Sequence, residues 1–354
     1  MLLNAFSSSE NSSGGMIQAC PALFETAESM NGELSPPQQP DLFGESGTEL
    51  PVTGKAEDWQ SLRKRLKRLL AKTDDFRILE RIPVSKSGLA LPYRFQEAAG
   101  DEIPIVFLDT ETTGLSSETD VIIELGLVRA SFSPSKKKLV SLDAILSAYE
   151  DPGKPLSPFI TELTGITDEK VRGQRIDEKT VAGFLENAAL IVAHNAAFDR
   201  PFFEKRFKGF DDRKWACSLA GINWNSLGFK NLKLEELLLK SGYFYEAHRA
   251  SLDCLALAWL FHVQNRAFAD LLYQAEKKTV TVRAFGAPFE VRDSLKTRGY
   301  RWHDGTTGPN RHWWKEIPEE ELAAEKNFLD ELYPHASDRA GFSLKTAAER
   351  FKNR

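Results

Sequence analysis

The sequence predicts an α/β domain built on a mixed central sheet, with a small α+β module after it and a disordered tail before it. Three observations carry this. Between residues 103 and about 265, three strand-like stretches in a row (EIPIVFLDTET, DVIIELGLVRASF and KKLVSLDAILS) give way to alternating helices and strands, the pattern of a mixed sheet with helices packed on it. From 275 to about 335, strand-like TVTVRAF, FEVR and RHWWKEI mix with helical DSLKTRG and PEEELAAEKNFLDELY. Residues 1 to about 55 are rich in Ser, Gly, Pro, Glu and Asn, and their apolar residues follow no period, which predicts disorder. The expected divisions are a tail over 1–55, a basic amphipathic helix and linker over 56–100, the α/β domain over 101–268, the α+β module over 275–335, and a polar tail with one short helix over 336–354.

Each element has a local reason. Trp59, Leu62, Leu66, Leu69 and Leu70 recur at helical spacing, with Arg63, Lys64, Arg65, Lys67 and Arg68 around them. Such a helix either packs its Leu face on the next domain or lays its cations on phosphates. PFITELTGIT reads as a helix with turn signals, TVAGFLENA as helical, AALIVAHN as a short buried strand and AAFDRPFFEKRF as the helix after it. LKLEELLLKSG is a helix stopped at Gly242, SLDCLALAWLFHVQN is another, and Pro318 stands near the start of the last long helix.

The bulk numbers exclude several classes. With 354 residues, 42% of them hydrophobic, the chain can bury a sizeable core in one or two domains. Its net charge of −5 argues against coating nucleic acid non-specifically, so any such role needs a local site. Cys20, Cys217 and Cys254 form no CxxC and no even framework, against a disulfide scaffold or a zinc site; Cys217 and Cys254 read as core. There is no run of about 18 apolar residues and no basic region leading into an apolar one, so the expectation is a cytoplasmic protein with no membrane partner.

FLDTETTGL, residues 107–115, sets the chemical question. Ile105, Val106, Phe107 and Leu108 run apolar into it, yet Asp109 and Glu111 follow on the same strand. Strand side chains alternate, so the two carboxylates share a face. Unpaired there, they repel each other and resist desolvation. Either Lys or Arg on a neighbouring strand compensates them, or a divalent metal does. Thr112, Thr113 and Gly114 follow, offering hydroxyl donors and a backbone that tolerates a close ligand. IVAHNAAFDRPFF, over 191–203, runs from an apolar strand into a helix bearing Asn195 and Asp199, four apart on one face. EAHRASLDCLALAWLF places His248 five residues before Asp253, in a helix crowded by Leu252, Leu255, Leu257 and Trp259. Four carboxylates and one imidazole suit a two-metal phosphodiesterase. The carboxylates would hold two Mg²⁺ or Mn²⁺ ions on the order of 4 Å apart, and His248 would take the proton of the attacking water.

In this order, over about 145 residues, D-x-E, H-N-x-x-x-D and H-x-x-x-x-D resemble the DEDDh 3′–5′ exonuclease family, which includes the epsilon proofreading subunit of bacterial DNA polymerase III and stand-alone relatives. The resemblance covers roughly residues 103 to 265. It implies a ribonuclease H-like fold with a mixed five-stranded sheet. It implies that Asp109, Glu111, Asp199 and Asp253 are metal ligands, Asp109 bridging both ions, with His248 the general base. The sister class has Tyr four residues before the last Asp; Arg249 stands there in this chain, so the histidine class fits. Substrate contacts implied by the family fall on Thr112, Thr113, Gly114 and Leu115, on Leu163, Gly165 and Ile166 of ELTGIT, and on Asn195 and Phe198. The expected partner is single-stranded DNA or a DNA 3′ end, and no polymerase domain accompanies the nuclease, so it joins a DNA polymerase or works alone.

Two further stretches stand outside that pattern. QPDLF, residues 39–43, is similar to the peptides by which bacterial replication and repair proteins bind the sliding clamp. Gln39, Asp41, Leu42 and Phe43 would then seat a tether that raises effective concentration at DNA ends; the alternative is an incidental Leu-Phe in a linker. Trp302, Trp313 and Trp314 with Arg298, Arg301 and Arg311 form the core and rim of the small module, or stack on a single strand. Three readings stay open: a DNA exonuclease in repair or proofreading, an exoribonuclease with the same chemistry, and a non-catalytic scaffold of a replication complex.

Overall fold

The computed structural model describes residues 59–70, 77–83, 89–306 and 310–352. QPDLF, with Gln39, Asp41, Leu42 and Phe43, lies outside the described residues, as does the rest of 1–55. The chain divides into two units, Met1–Phe76 and Arg77–Arg354. In the first, α1 (Trp59–Leu70) has Lys67 and Arg68 in its last turn, where cations suit the negative end of the helix dipole.

The second unit opens with β1 (Glu80–Arg81) and β2 (Tyr93–Arg94), then β3 (Ile103–Thr112), β4 (Ile122–Ser133) and β5 (Lys138–Tyr149). Helices α2 (Pro158–Thr164), α3 (Asp168–Val171) and α4 (Glu178–Leu185) lead to β6 (Leu190–Ala193), α5 (Ala196–Arg206) and β7 (Trp215–Cys217). After these come α6 (Ser218–Gly221), α7 (Leu234–Lys240), β8 (Tyr243–Phe244), α8 (Ala250–Val263) and α9 (Asn265–Glu276). The main sheet runs β2-β5-β4-β3-β6-β7, with β3 antiparallel to β4 but parallel to β6. The sheet is mixed, as expected, with six strands rather than five, because two-residue β2 pairs on the outer edge of β5.

Both faces of the sheet are covered, which is why β3 and β4 read as nearly continuous apolar runs. Alternation along β3 sends Ile105 and Phe107 into one layer with Leu257, Phe261 and Phe268 of α8 and α9. Val106 and Leu108 face the other layer, with Val181 and Leu185 of α4 and Phe202 and Phe203 of α5. Each such fully buried side chain contributes about 1.5–3 kcal/mol. Helix α8 is buried on nearly every side and presses hardest on the sheet at Gly126, where a Cβ would sit 2.2 Å from the Ala250 carbonyl carbon.

The C-terminal region holds β9 (Thr279–Phe285), α10 (Arg292–Thr297), β10 (Arg301–His303), β11 (His312–Pro318), α11 (Leu322–Leu332), α12 (Ala336–Arg339) and β12 (Gly341–Lys345). Its sheet runs β10-β11-β9-β12, all antiparallel. Trp313 sits in its core with Leu295, Tyr300 and Leu329, while Trp302 is 51% exposed.

Three expectations need correction here. FEVR is a single 3₁₀ turn, Phe289–Val291, because Pro288 before it and the helix start at Arg292 leave no room for a ladder. Helix α9 continues to Glu276, through the gap expected between the two modules; its buried Phe268 and Leu271 belong to the core of the first sheet. Finally, 336–354 is not a plain tail: β12 completes the second sheet, and the residues after it dock on the first.

That docking rests on two buried arginines. The Arg200 guanidinium, fully buried on α5, donates to the carbonyls of Arg350 at 2.7 Å, Ala348 at 2.6 Å, Ala347 at 3.4 Å and Asp211 at 3.1 Å, and to Glu204 Oε1 at 2.7 Å. Arg350 reaches the other way, to the carbonyls of Gln274, Ala275 and Lys277 at the end of α9. The Trp215 amide of β7 also donates to Ala347 O at 2.9 Å.

Candidate active site

The odd-numbered face of β3 that carries Ile105 and Phe107 continues into Asp109 and Glu111, so both carboxylates emerge on the α8 side of the sheet. Asp253, in the first turn of α8, meets them there. One oxygen from each of Asp109, Glu111 and Asp253 lies within 4.8 Å of the others, and all three side chains are half-buried. The absence of a side chain at Gly126, which pairs in register with Asp109, is what lets the start of α8 come this close.

Asp199 arrives from the opposite layer. Strand β6 pairs with β3 only as far as Val192 opposite Phe107, so the β3 backbone beyond that point is open on this side. There Asp199 Oδ1 accepts the Thr110 amide at 3.1 Å and its hydroxyl at 2.9 Å. The crevice lies past the carboxyl ends of β3 and β6, where the strand order reverses direction, a usual place for ligands in open α/β sheets.

The electrostatics are unbalanced. Burial, then the charges of Asp199, Asp253 and Glu111, hold the Asp109 carboxyl well above the usual carboxylate range. Burial and the charge of Asp253 push Glu111 up to about 8. Burial raises Asp199 to about 7 despite its bonds to Thr110, and raises Asp253 despite donation from Tyr245. Among the described residues no hydrogen-bond donor reaches the side chains of Asp109 or Glu111 and no lysine or arginine forms an ion pair with either; Arg249, paired to Glu124, acts on Glu111 only through its charge. A hard cation held by carboxylate oxygens would reverse this imbalance, and the all-oxygen donor set fits Mg²⁺ or Mn²⁺ better than a soft metal.

Asp253 is itself held at both oxygens: Tyr245 Oη donates to Oδ1 at 2.6 Å and the Arg249 amide to Oδ2 at 3.0 Å. His248 lies between those two donors in the chain, with its backbone in the left-handed region at φ 68°. His194, of the AHN stretch, is structural. Its ring is bonded to Ser218 Oγ at 2.6 Å and Leu232 O at 2.8 Å, and burial drops it to about 4.

The residues expected around a substrate divide. Thr112 Oγ1 donates to Gly114 O at 2.6 Å and Thr113 Oγ1 to Asp120 at 3.0 Å, so both hydroxyl protons are directed into their own loop. Gly114 leaves the space that the Asp120 carboxylate occupies, since a Cβ would lie 2.5 Å from it and the carboxylate would have to shift. Leu115 projects, 51% exposed. Gly165 caps α2 at φ 66° and is exposed, and Leu163 is half-buried, but Ile166 is fully buried with Ile123 and Ile160. Asn195 is the residue before α5 rather than part of its face, at φ −132°, and Phe198 packs on Phe202. Sequence reasoning missed Tyr245, Glu124 and Arg249. Glu124 carried the same signal as Asp109, an acid in an apolar strand.

The family model described as Exonuclease matches residues 106–261. The matched segment resembles an exonuclease domain. Asp109, Glu111, Asp199, His248 and Asp253 all lie within it. The chain is 34% identical over 180 residues to the DNA polymerase III PolC-type of Listeria innocua, covering 49% of this chain and 12% of that protein. It is 39% identical over 176 residues to the PolC-type polymerase of Caldanaerobacter subterraneus, covering 47% and 12%. The chain thus spans about an eighth of the length of the curated relatives it matches. A solved structure described as the nuclease domain of 3′hExo, a DEDDh family member bound to rAMP, aligns with 49% of this chain and 97% of its own at 20% identity, with a TM-score of 0.40. Among the described residues no helix is long and apolar enough to cross a membrane.

Proposed function

We propose that this chain is a metal-dependent 3′–5′ exonuclease that releases nucleoside monophosphates from DNA 3′ ends, in repair or replication proofreading in the cytoplasm. One observation carries the reading: one oxygen from each of three carboxylates within 4.8 Å of the others, with no lysine or arginine ion-paired to them among the described residues, in the segment that matches the exonuclease family. Asp109, Glu111, Asp199 and Asp253 would hold two Mg²⁺ or Mn²⁺ ions. When bound, such ions activate a water and stabilise the leaving 3′-oxygen.

The chain's own residues do the rest. His248 takes the proton of the attacking water. Tyr245 and the Arg249 amide fix the carboxylate of Asp253 so that it does not rotate away as charge develops. Thr110 does the same for Asp199. The Thr113–Asp120 bond sets the loop that presents Leu115 to the end of the strand. DNA rather than RNA is favoured by the PolC-type relatives and by the clamp-like QPDLF peptide, through which the chain would be tethered beside a polymerase.

Digestion of matched 5′-labelled DNA and RNA strands tests this, with Mg²⁺, Mn²⁺ or chelator and with Asp109→Ala in parallel. A metal-dependent ladder receding from the DNA 3′ end, absent in the variant, is expected. A ladder on RNA alone would move the enzyme to RNA turnover, and none on either would leave the scaffold reading.

A further inference from the structure

Glu124 is a carboxylate that the chemistry does not call for. It sits on β4 directly opposite Glu111 in register and is fully buried. Unlike Glu111, it is completely satisfied. Its Oε1 accepts from Ser147 Oγ at 2.8 Å and Arg249 Nη2 at 3.2 Å, and its Oε2 from Arg249 Nε at 3.1 Å and the Ala250 amide at 3.3 Å. Arg249 also donates to the Tyr149 hydroxyl on the last residue of β5. With four donors already in place, Glu124 has no reason to take a cation, which separates it from the cluster beside it.

The pair is better understood by what it holds. Arg249 directly follows His248 and is the residue before α8. His248 adopts a left-handed backbone at φ 68°, a conformation that non-glycine residues keep only where the surroundings impose it. On one side of it Tyr245 is tied to Asp253; on the other Arg249 is tied by its amide to Asp253 and by its guanidinium to Glu124.

We propose that the Glu124–Arg249 ion pair, backed by Tyr149, is a positioning device that fixes His248 beside Asp253. This rests on His248 acting as the base. The planar fork of Arg249 spans two strands and the start of α8, so it sets the direction in which the backbone leaves His248. A lysine there would keep the charge but not the two-point grip.

A double-mutant cycle with His248 tests it, by single-turnover cleavage of a 5′-labelled DNA strand with Mn²⁺, alongside Mn²⁺ titration and thermal unfolding. Arg249→Ala should lower the cleavage rate by about 100-fold, the scale expected when a reacting group shifts by about 1 Å. Arg249→Lys should fall between it and the parent, and Mn²⁺ affinity should change little. In a His248→Ala background the further loss from Arg249→Ala should shrink to under about threefold, since the group it positions is gone. Tyr149→Phe keeps the ring packing and serves if Arg249→Ala does not fold; its smaller loss, about threefold to tenfold, should likewise vanish with His248→Ala. Equal losses in both backgrounds would overturn the proposal, because the pair would then act through the fold or the acids. So would a full rate in Arg249→Ala. If His248→Ala alone keeps the parent rate, the assignment of the base fails first and is seen independently of the pair.

Discussion

Asp199 and Arg200 are adjacent on α5, both buried, and of opposite charge, yet the protein treats them in opposite ways. Arg200 is given five acceptors, four of them backbone carbonyls that need donors anyway. Asp199 lies outside the cluster of three but near enough for its charge to act on Asp109 and Glu111, and it receives the two donors of Thr110. A buried charge whose hydrogen bonds are complete is part of the scaffold. One left short, among like charges, is waiting for something the chain does not itself supply. Glu124 obeys the same rule: it stands beside Glu111 but is complete, and so belongs with Arg200.

The sharpest way to break this contrast is to neutralise one member of each kind. Asp109→Asn should lower exonuclease rate on the order of 10³-fold, measured on 5′-labelled DNA, while the metal-free protein unfolds at the same or a higher temperature because a repulsion is gone. If the variant instead unfolds early, the cluster is structural. Arg200→Ala should do the reverse. It strands several buried carbonyls and costs about 3 kcal/mol or more in denaturant unfolding. An unchanged midpoint would remove the scaffold side of the comparison.

Gly126→Ala should cost about 1–3 kcal/mol, since a methyl there must push α8 off β4. Its activity should fall further than its stability explains, because the same movement carries Asp253 away from Asp109; parallel losses would argue that the approach of α8 matters only for packing. The smallest effect is that of pH. Folded-state carboxyls raised to about 7 and about 8 bind protons that the unfolded chain has released, so stability is full below about pH 4 for these groups and is lost as pH rises through 7 to 8. Without metal, unfolding free energy should drop on the order of 1–2 kcal/mol between pH 5 and 8, and millimolar Mg²⁺ or Mn²⁺ should abolish the drop. A rise with pH in chelator would contradict the electrostatics of the cluster.

Much of this was legible in the sequence, for physical reasons. Acids at period two on an apolar strand, and an Asp in an apolar helix, are costly placements and stand out against their surroundings. The long strands and α8 announced themselves because they are buried on all sides. What hid were features made by distant partners. Residues 341–345 look polar, as an edge strand with one open side does, and only pairing with β9 makes them a strand. Ile166 sits in a motif that points to a ligand, but its apolar side chain goes to the core under α2. Arg200 and Arg350 gave no signal, since most of their partners are backbone carbonyls, which any sequence supplies.

The grip of Arg200 on residues 347–350 also has a consequence in time. Three of its five acceptors are made 147 to 150 residues after it, well after Phe261, the last residue that matches the exonuclease family. On the ribosome the nuclease domain can collapse around its sheet, but α5 holds a buried cation short of acceptors until the last strand of the second module has emerged. Maturation of the catalytic half is therefore tied to completion of the half that carries none of the acids. A nuclease domain excised at its family boundary should accordingly be harder to fold than the longer chain that contains it.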